Sequence, residues 1–497
     1  MSCWLRSALA VCVLTPVALA CSNDEIAAST TPGAAGVGAT AGRNGQAGAA
    51  TAGAATNGGS SSTSAGSAGS PGVSGSGNTA GVGGSVAMAG AGGTAGSGVG
   101  GETGTGTSLF TTLSGKTPQE IDAKVTTAVN RFFGIGTGEP GTPTVNVGYR
   151  CYYELPNDPS MAFIWAADSN DIRSEGMSYG MMIAVQMDLQ SEFDKLWKFA
   201  KTYMQYPAST GTTAWKYYFR WQGTVSGSTV TFGPTTVPAP DGEEYFAAAL
   251  YLADQRWKSA GTVNYKQEAD YLSAAMLHNA SANNRHPIIH TTERMVVFVP
   301  YAGSYGFTDP SYHLPAFYEL FALYGPAADA ATWKAMATIS RSYLVKSAHA
   351  TTGLHSDYAT FAGAPTTGSP GDGHDQFKYD AWRVVMNMAI DYSWFSQNAG
   401  LKTQVEKYHA FFANKLGTDN VTNALFHVDG SNPSGGGSTA LTATLAVGAL
   451  ASSAANRKAY VDNLWNVGQQ SGQFRYYQES VYLLGLLAVA GKYHYRF

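Results

Sequence analysis

Residues 174–204 read SEGMSYGMMIAVQMDLQSEFDKLWKFAKTYM. Met182, Val185, Leu189, Phe193, Leu196, Ala200 and Tyr203 recur at the spacing of one helix face, so the stretch predicts helix, with Gln190-Ser191 as a place for a break into two. Similar helical stretches stand near 242–256, 265–279, 311–325, 330–348, 379–398, 400–415, 439–452, 456–467 and 478–491. Thr117-Pro118-Gln119-Glu120 is a capping box with proline at the first helical position, and it opens a further helix to about Phe133. Alternating strands are few, the best being Ser226–Phe232 and Arg294–Val299. Ala440 to Ser452 is apolar or small on nearly all faces, which places such helices inside. Roughly twelve helices, some of them interior, fit an all-α fold of two concentric layers of six.

The first residues, MSCWLRSALAVCVLTPVALACSNDE, carry one Arg and then an apolar run from Ala8 to Ala20 broken by Pro16. The run is well short of the roughly 20 residues that cross a bilayer, so it reads as a secretory signal over 1–20. Ala18-Leu19-Ala20-Cys21 resembles a bacterial lipobox, which makes Cys21 the expected lipidation site and the mature N-terminus; Ser22 then favours the outer membrane. Residues 21–107 are expected to form a tether, because Gly, Ala, Ser and Thr with no aromatic side chain cannot offset their ordering entropy. From Ser108 the chain turns rich in Trp, Tyr, Phe, Leu and Met, and 108–497 is long enough for one barrel-type domain. Only Cys151 remains outside the signal and lipid site, so neither an internal disulfide nor a thiolate metal site is expected. A net charge of −4 gives no reason to expect nucleic acid as a partner. The only membrane contact expected is the lipid anchor, and the chain reads as a monomer.

Gly176-Met-Ser-Tyr-Gly180 matches the G-x-S-x-G pattern of a serine nucleophile elbow. That elbow needs an apolar strand running into the first glycine, whereas Ser169-Asn-Asp-Ile-Arg-Ser-Glu175 is polar, so Ser178 is not expected to be a nucleophile. No H-E-x-x-H or paired cysteine stands in the chain, and His286, His290, His313 and His374 are scattered, so neither metal nor organic cofactor is expected. The remaining signal is carboxylates among aromatics at expected helix starts: Glu175 before Tyr179, Asp241 before Glu243, Glu244 and Tyr245, and Asp380 between Tyr379 and Trp382. Taken singly, an acid there is a cap or a dipole partner. Glycosidic cleavage, however, needs one carboxylic acid to protonate the leaving oxygen and a second carboxylate to attack or to activate water. Trp165, Trp215 and Trp221, in segments that read as loops near the acids, are candidate platforms for sugar rings.

These segments, with FTDPSYHLPAFYELFALYG, HDQFKYDAWRVVMNMAIDYSWF and SGQFRYYQESVYLLGLLAVAGKY, resemble family 8 glycoside hydrolases over essentially all of 110–497. They are most similar to the branch of reducing-end xylose-releasing exo-oligoxylanases. The resemblance implies an (α/α)6 barrel and inverting cleavage of a β-1,4-linked polysaccharide or oligosaccharide, xylan first. It further implies Glu175 as general acid, Asp380 as general base, Asp241 as the acid that binds and distorts the sugar, and Tyr312 and Arg383 as residues that hold base, water and sugar. Glu175 is then expected to be protonated and Asp380 ionised beside Arg383, with the carboxyls roughly 6.5–9.5 Å apart. The exo-acting branch is expected to close its cleft with a bulky Leu-His-Pro-like loop after Phe426-His-Val-Asp-Gly430. Here that place reads Ser431-Asn-Pro-Ser-Gly-Gly-Gly-Ser438, which favours endo or mixed action. The alternatives are an endo-β-1,4-glucanase or chitosanase of the same fold, and a non-catalytic polysaccharide-binding surface lipoprotein.

Overall fold

A helix that is apolar all round must be surrounded, and the chain solves this by alternation. The computed structural model describes residues 106–497, apart from 207–212, 235, 369–371 and 417–422. The expected signal, Cys21 and nearly all of the expected tether lie outside the described residues. Thirteen α-helices are found among those described. After α1 (Leu109–Ser114) and α2 (Pro118–Phe133), the odd-numbered helices α3 (Ser174–Gln186), α5 (Pro240–Trp257), α7 (Pro315–Tyr324), α9 (Trp382–Asp391), α11 (Thr439–Gly448) and α13 (Arg475–Val489) pack each on the next. The last returns to the first and closes a ring. Outside it, α4 (Gln190–Phe199), α6 (Tyr265–His278), α8 (Ala330–Ser347), α10 (Ala399–Leu416) and α12 (Arg457–Asn466) each lie on the inner helix before them, and α2 lies on α13. This is the (α/α)6 barrel.

Residue choice separates the layers. Every residue of α13 and nearly all of α3, α9 and α11 are buried. In α2 only the stripe Ile121, Val125, Ala128, Val129, Phe132 and Phe133 is buried, the pattern of a helix with one wet face. Its capping box forms as expected, Glu120 accepting the Thr117 N–H at 2.9 Å and donating its own N–H to the Thr117 hydroxyl. The break after α3 falls at Met187–Leu189, just before the Gln190-Ser191 expected to carry it.

Alternation also sorts the connections. Inner-to-outer links such as 187–189 and 397–398 are short, whereas outer-to-inner links such as 134–173, 279–314 and 348–381 are long and gather at one end, above the N-termini of the inner helices. A five-stranded antiparallel sheet in the order β1-β2-β3-β4-β5 is built there from β1 (Tyr152–Leu155), β2 (Asp158–Ala166), β3 (Asp171–Arg173), β4 (Gln222–Ser226) and β5 (Thr229–Phe232). The strand expected over Ser226–Phe232 is thus the end of β4, a turn at Gly227, and β5. Arg294–Val299 forms no strand; it makes one isolated bridge, Ile289 with Val296.

Candidate active site

The long-loop end is where the helix N-termini converge, each carrying roughly half a positive charge. Glu175 stands in the first turn of α3, Asp241 in the first turn of α5, and Asp380 in the 3-10 turn Tyr379–Ala381 that leads into α9. One turn on from Asp380, Arg383 joins all three. Its Nη1 donates to Glu175 Oε2 and to Asp241 Oδ2, each at 2.9 Å, and to the Tyr179 hydroxyl. Its Nη2 donates to Ser311 Oγ at 2.8 Å and pairs with Asp380 Oδ1 at 3.0 Å. The guanidinium lies 5.7 Å from the Tyr312 ring. The structure therefore brings Glu175, Asp241, Asp380, Arg383, Tyr179 and Tyr312 together around one fork of donors.

Burial and shared charge set the protonation of the three acids. The Glu175 side chain is 13% exposed, the most open of the three, against 3% for Asp380. Burial pushes the Glu175 carboxyl up, Arg383 opposes this, and Asp241 adds to it. Burial raises Asp241 to about 6, again against Arg383 and with Asp380 adding to the rise. Asp380 rises to about 7, chiefly through burial, with Asp357 and Glu175 outweighing part of the pull from Arg383. This differs from the expectation of an ionised Asp380 beside Arg383, because burial and the neighbouring carboxylates oppose that pull. One cation cannot hold down three buried carboxylates.

Several participants carried no signal of their own in the sequence. The Tyr476 hydroxyl, at the start of α13, donates to Glu175 Oε1 at 2.9 Å. Ser311 is tied to α9 by Asn387, whose amide donates to the Ser311 carbonyl at 2.7 Å. Both Tyr476 and Ser311 lie at the start of an inner helix or in the turn leading to it, the same place as the acids.

Gly176 and Gly180 lie inside α3 rather than in a turn before it, and they serve close packing. A Cβ on Gly176 comes 2.4 Å from the Tyr476 ring, and one on Gly180 comes 2.8 Å from Ile164. Ser178 is fully buried and its hydroxyl donates to the Glu175 carbonyl, so it is not presented as a nucleophile. The polar residues before α3 do form a strand, β3, but it is antiparallel, and Asp171 and Arg173 are buried by pairing with each other at 3.1 Å.

Of the three tryptophans, Trp215 and Trp221 lie in the connection between α4 and α5, whereas Trp165 does not lie in a loop, and all three are buried. Trp165 lies within β2, buried, its indole N–H given to Asn170. Trp215, in a 3-10 turn, is 3% exposed and donates to the Pro300 carbonyl, with Arg285 over its ring at 4.5 Å. Trp221 is also buried. Tyr301, 43% exposed, lies 5.9 Å from Trp215. His313 is buried between Thr308 and Ser340, His374 is buried against Asp357, and His286 and His290 stack on Tyr305. Among the described residues, no three His, Cys, Asp or Glu side chains are grouped to hold a metal ion.

A helical double barrel with acids gathered at the N-termini of its inner helices defines a class of carbohydrate-active enzyme. The chain belongs to glycosyl hydrolases family 8, whose sequence profile matches residues 164–491, and it is a glycoside hydrolase. It is 36% identical over 400 residues to the reducing-end xylose-releasing exo-oligoxylanase Rex8A of Paenibacillus barcinonensis, covering 79% of this chain and 97% of that one. It is 27% identical over 332 residues to endoglucanase A of Acetivibrio thermocellus, covering 66% of this chain and 64% of the relative. Among solved structures, the family 8 xylobiose complex from Teredinibacter turnerae superposes with a TM-score of 0.70 at 38% identity, covering 78% of this chain and 96% of that one.

Proposed function

We propose that the enzyme cleaves β-1,4 linkages of xylan or xylo-oligosaccharides with inversion, Glu175 acting as general acid and Asp380 as general base. The observation that carries this is the Arg383 fork, which holds Glu175 on Nη1 and Asp380 on Nη2. Inversion requires a water between the base and the sugar, on the face away from the leaving oxygen, and carboxyls held on different nitrogens of one guanidinium support that division of roles. Glu175 gives its proton to the glycosidic oxygen as that bond breaks. Water attacks the anomeric carbon from the other face and gives a proton to Asp380, so the products are a free hydroxyl and a hemiacetal of inverted configuration. Asp241, bound to the same Nη1 as Glu175, is placed to accept from hydroxyls of the sugar at the cleavage point.

Support for xylan comes from the oligoxylanase relatives and the xylobiose-bound neighbour. Support for endo or mixed action comes from the 425–438 segment. Ser434 exchanges backbone hydrogen bonds with Leu425 in a tight hairpin, and residues 431–437 are small or polar and exposed. Digesting reducing-end-labelled xylohexaose while following the anomers by NMR tests all of this. Labelled products of several lengths are expected, and the new reducing end, which lies on the unlabelled fragment, is expected to appear first as the α-anomer. Labelled xylose alone refutes endo action, and a first-formed β-anomer refutes inversion. Glucan as substrate is favoured instead if mixed-linkage glucan is cut faster than xylan, and a binding role if the wild type cuts neither. For location, we propose a lipid anchor at Cys21; fatty-acid labelling that persists in Cys21→Ser overturns it.

A further inference from the structure

The peptide that carries Asp380 is held from both sides by groups the acid–base scheme does not use. Tyr379 has φ of 26°, a conformation unfavourable for a residue with a side chain, so this turn needs outside support. The Tyr477 hydroxyl donates to the Tyr379 carbonyl at 2.9 Å. On the other side, the Ala381 N–H donates to Asp357 Oδ1 at 3.0 Å. The second Asp357 oxygen meets His374 Nδ1 at 2.9 Å, and both side chains are fully buried. The Tyr358 ring stacks on His374 at 4.2 Å and 14°, and backbone bonds from Asp357 to Gln376 and from Tyr358 to His374 lock the two segments together. A carboxylate paired with an imidazole in a dry site, one bond from the peptide of a reacting acid, does more than pack.

We propose that Asp357 and His374 form a positioning dyad for Asp380, Asp357 fixing its peptide through the Ala381 N–H and the charge of the pair governing when Asp380 gives up its proton. The inference rests on the reading of Asp380 as the base. The charged and titratable groups around Asp380 are Arg383 on its own helix, Glu175 from α3, Asp241 from α5 and Asp309 before α7. Tyr477 faces it from α13, and Asp357, His374 and Lys378 from the connection before α9. Within this set, Asp357 pushes Asp380 toward its protonated form and His374 pulls it back.

The two members of the dyad therefore act in opposite senses, which a merely structural pair does not. Asp357→Asn keeps an oxygen for the Ala381 N–H but removes a negative charge, so the acidic limb of kcat/KM is expected to move to lower pH. His374→Gln keeps a donor for Asp357 but removes the ring that pulls Asp380 toward its ionised form, so the limb is expected to move to higher pH. Each shift is expected to be roughly half to one pH unit, the scale of a neighbouring charge. Asp357→Ala, which loses the peptide bond as well, is expected to lower kcat ten- to a hundredfold with KM within about threefold, and Asn at the same position to restore most of it. The position of the limb does not depend on how much of a variant folds. Limbs that stay fixed, or that move the same way in both variants, overturn the dyad, as does a rise in KM at constant kcat in Asp357→Ala. Asp380→Asn separates the two readings. If it stays active, the reading of Asp380 as base fails; if it is inactive while the limbs stay fixed, the dyad alone fails.

Discussion

Tyr476→Phe isolates one hydrogen bond to Glu175, the proposed general acid. The Tyr476 hydroxyl donates to Glu175 Oε1 at 2.9 Å, while Arg383 holds the other oxygen. The substitution keeps the ring, so the contact over Gly176 stays filled. A hydrogen bond to a carboxylate contributes about 1.5–3 kcal/mol, and one to a neutral carboxyl about 0.5–1.5 kcal/mol. The difference, about 1 kcal/mol, favours the ionised form and corresponds to a little under one pH unit. Burial already lifts the Glu175 carboxyl above its ordinary range, and Tyr476 works against that lift. Removing the hydroxyl therefore raises the pKa further. Under the proposed role of Glu175 as an acid acting in its protonated form, the alkaline limb of kcat/KM is expected to move up by about half to one pH unit, so that the variant outperforms the wild type, relative to its own optimum, on the alkaline side. The assay is reducing-sugar release from xylan or xylohexaose at constant ionic strength, with initial rates taken across the whole active pH range. An alkaline limb that stays in place or moves to lower pH refutes the assignment of Glu175 as the acid in contact with Tyr476.

Glu175→Gln is expected to lose about two to four orders of magnitude on xylan and to recover partly on aryl glycosides whose leaving group needs no proton. Ser178→Ala is expected to stay active in the same assay, and the reverse pattern restores the serine. Arg383→Lys replaces a two-armed donor with a point charge that cannot serve both the Glu175–Asp241 side and the Asp380 side. A kcat at least a hundredfold lower is expected by steady-state kinetics, with melting temperature as the check on folding. Burial pushes Glu479 up to about 8 even though it accepts from Gln469 and Gln470. Its folded pKa lies above the unfolded one, so its stabilising effect is complete below about pH 4 and is lost as the pH rises toward 8, at up to about 1.4 kcal/mol per pH unit. Glu479→Gln is expected to flatten the fall in melting temperature between pH 5 and 8, and an unchanged slope counts against the buried, protonated carboxyl.

What could be read from the sequence was what periodicity encodes. Helices such as α2, α8 and α12 were legible to within a residue or two, because their ends carry caps or their faces repeat. The barrel followed from α11, apolar all round, which only an interior position permits. The sheet was largely missed. Its core, Met161–Ala166, is buried on both faces and reads as an uninterrupted apolar run, which periodicity cannot tell from buried helix. The same blindness put Trp165 in a loop. In the site, the three acids and Arg383 could be named from their motifs and from family resemblance, but Tyr476, Ser311 and Asp357 could not. They act through hydrogen bonds between separate segments, such as Tyr476 to Glu175, and nothing local marks those pairs.

The shared guanidinium explains why three acids of similar chemistry can take different parts. Fully ionised, Glu175, Asp241 and Asp380 carry three negative charges against one positive charge in a buried space, and that state is costly even with the helix N-termini beneath it. The cluster therefore keeps protons near neutral pH, and local partners decide where they sit. Both Glu175 oxygens are engaged, one by Arg383 and one by Tyr476, and its side chain is the most open of the three, so it can exchange a proton with solvent between turnovers. Asp380 differs, because Oδ1 is held by Arg383 whereas the buried Oδ2 meets no donor among the described residues. In the proposed scheme that oxygen accepts from the O–H of a water poised against the sugar. With water giving its proton to Asp380 and Glu175 giving its own to the leaving oxygen, that scheme leaves the total charge on the cluster unchanged. Arg383 can therefore stay fixed throughout, holding the same three carboxyls before and after the bond is cut.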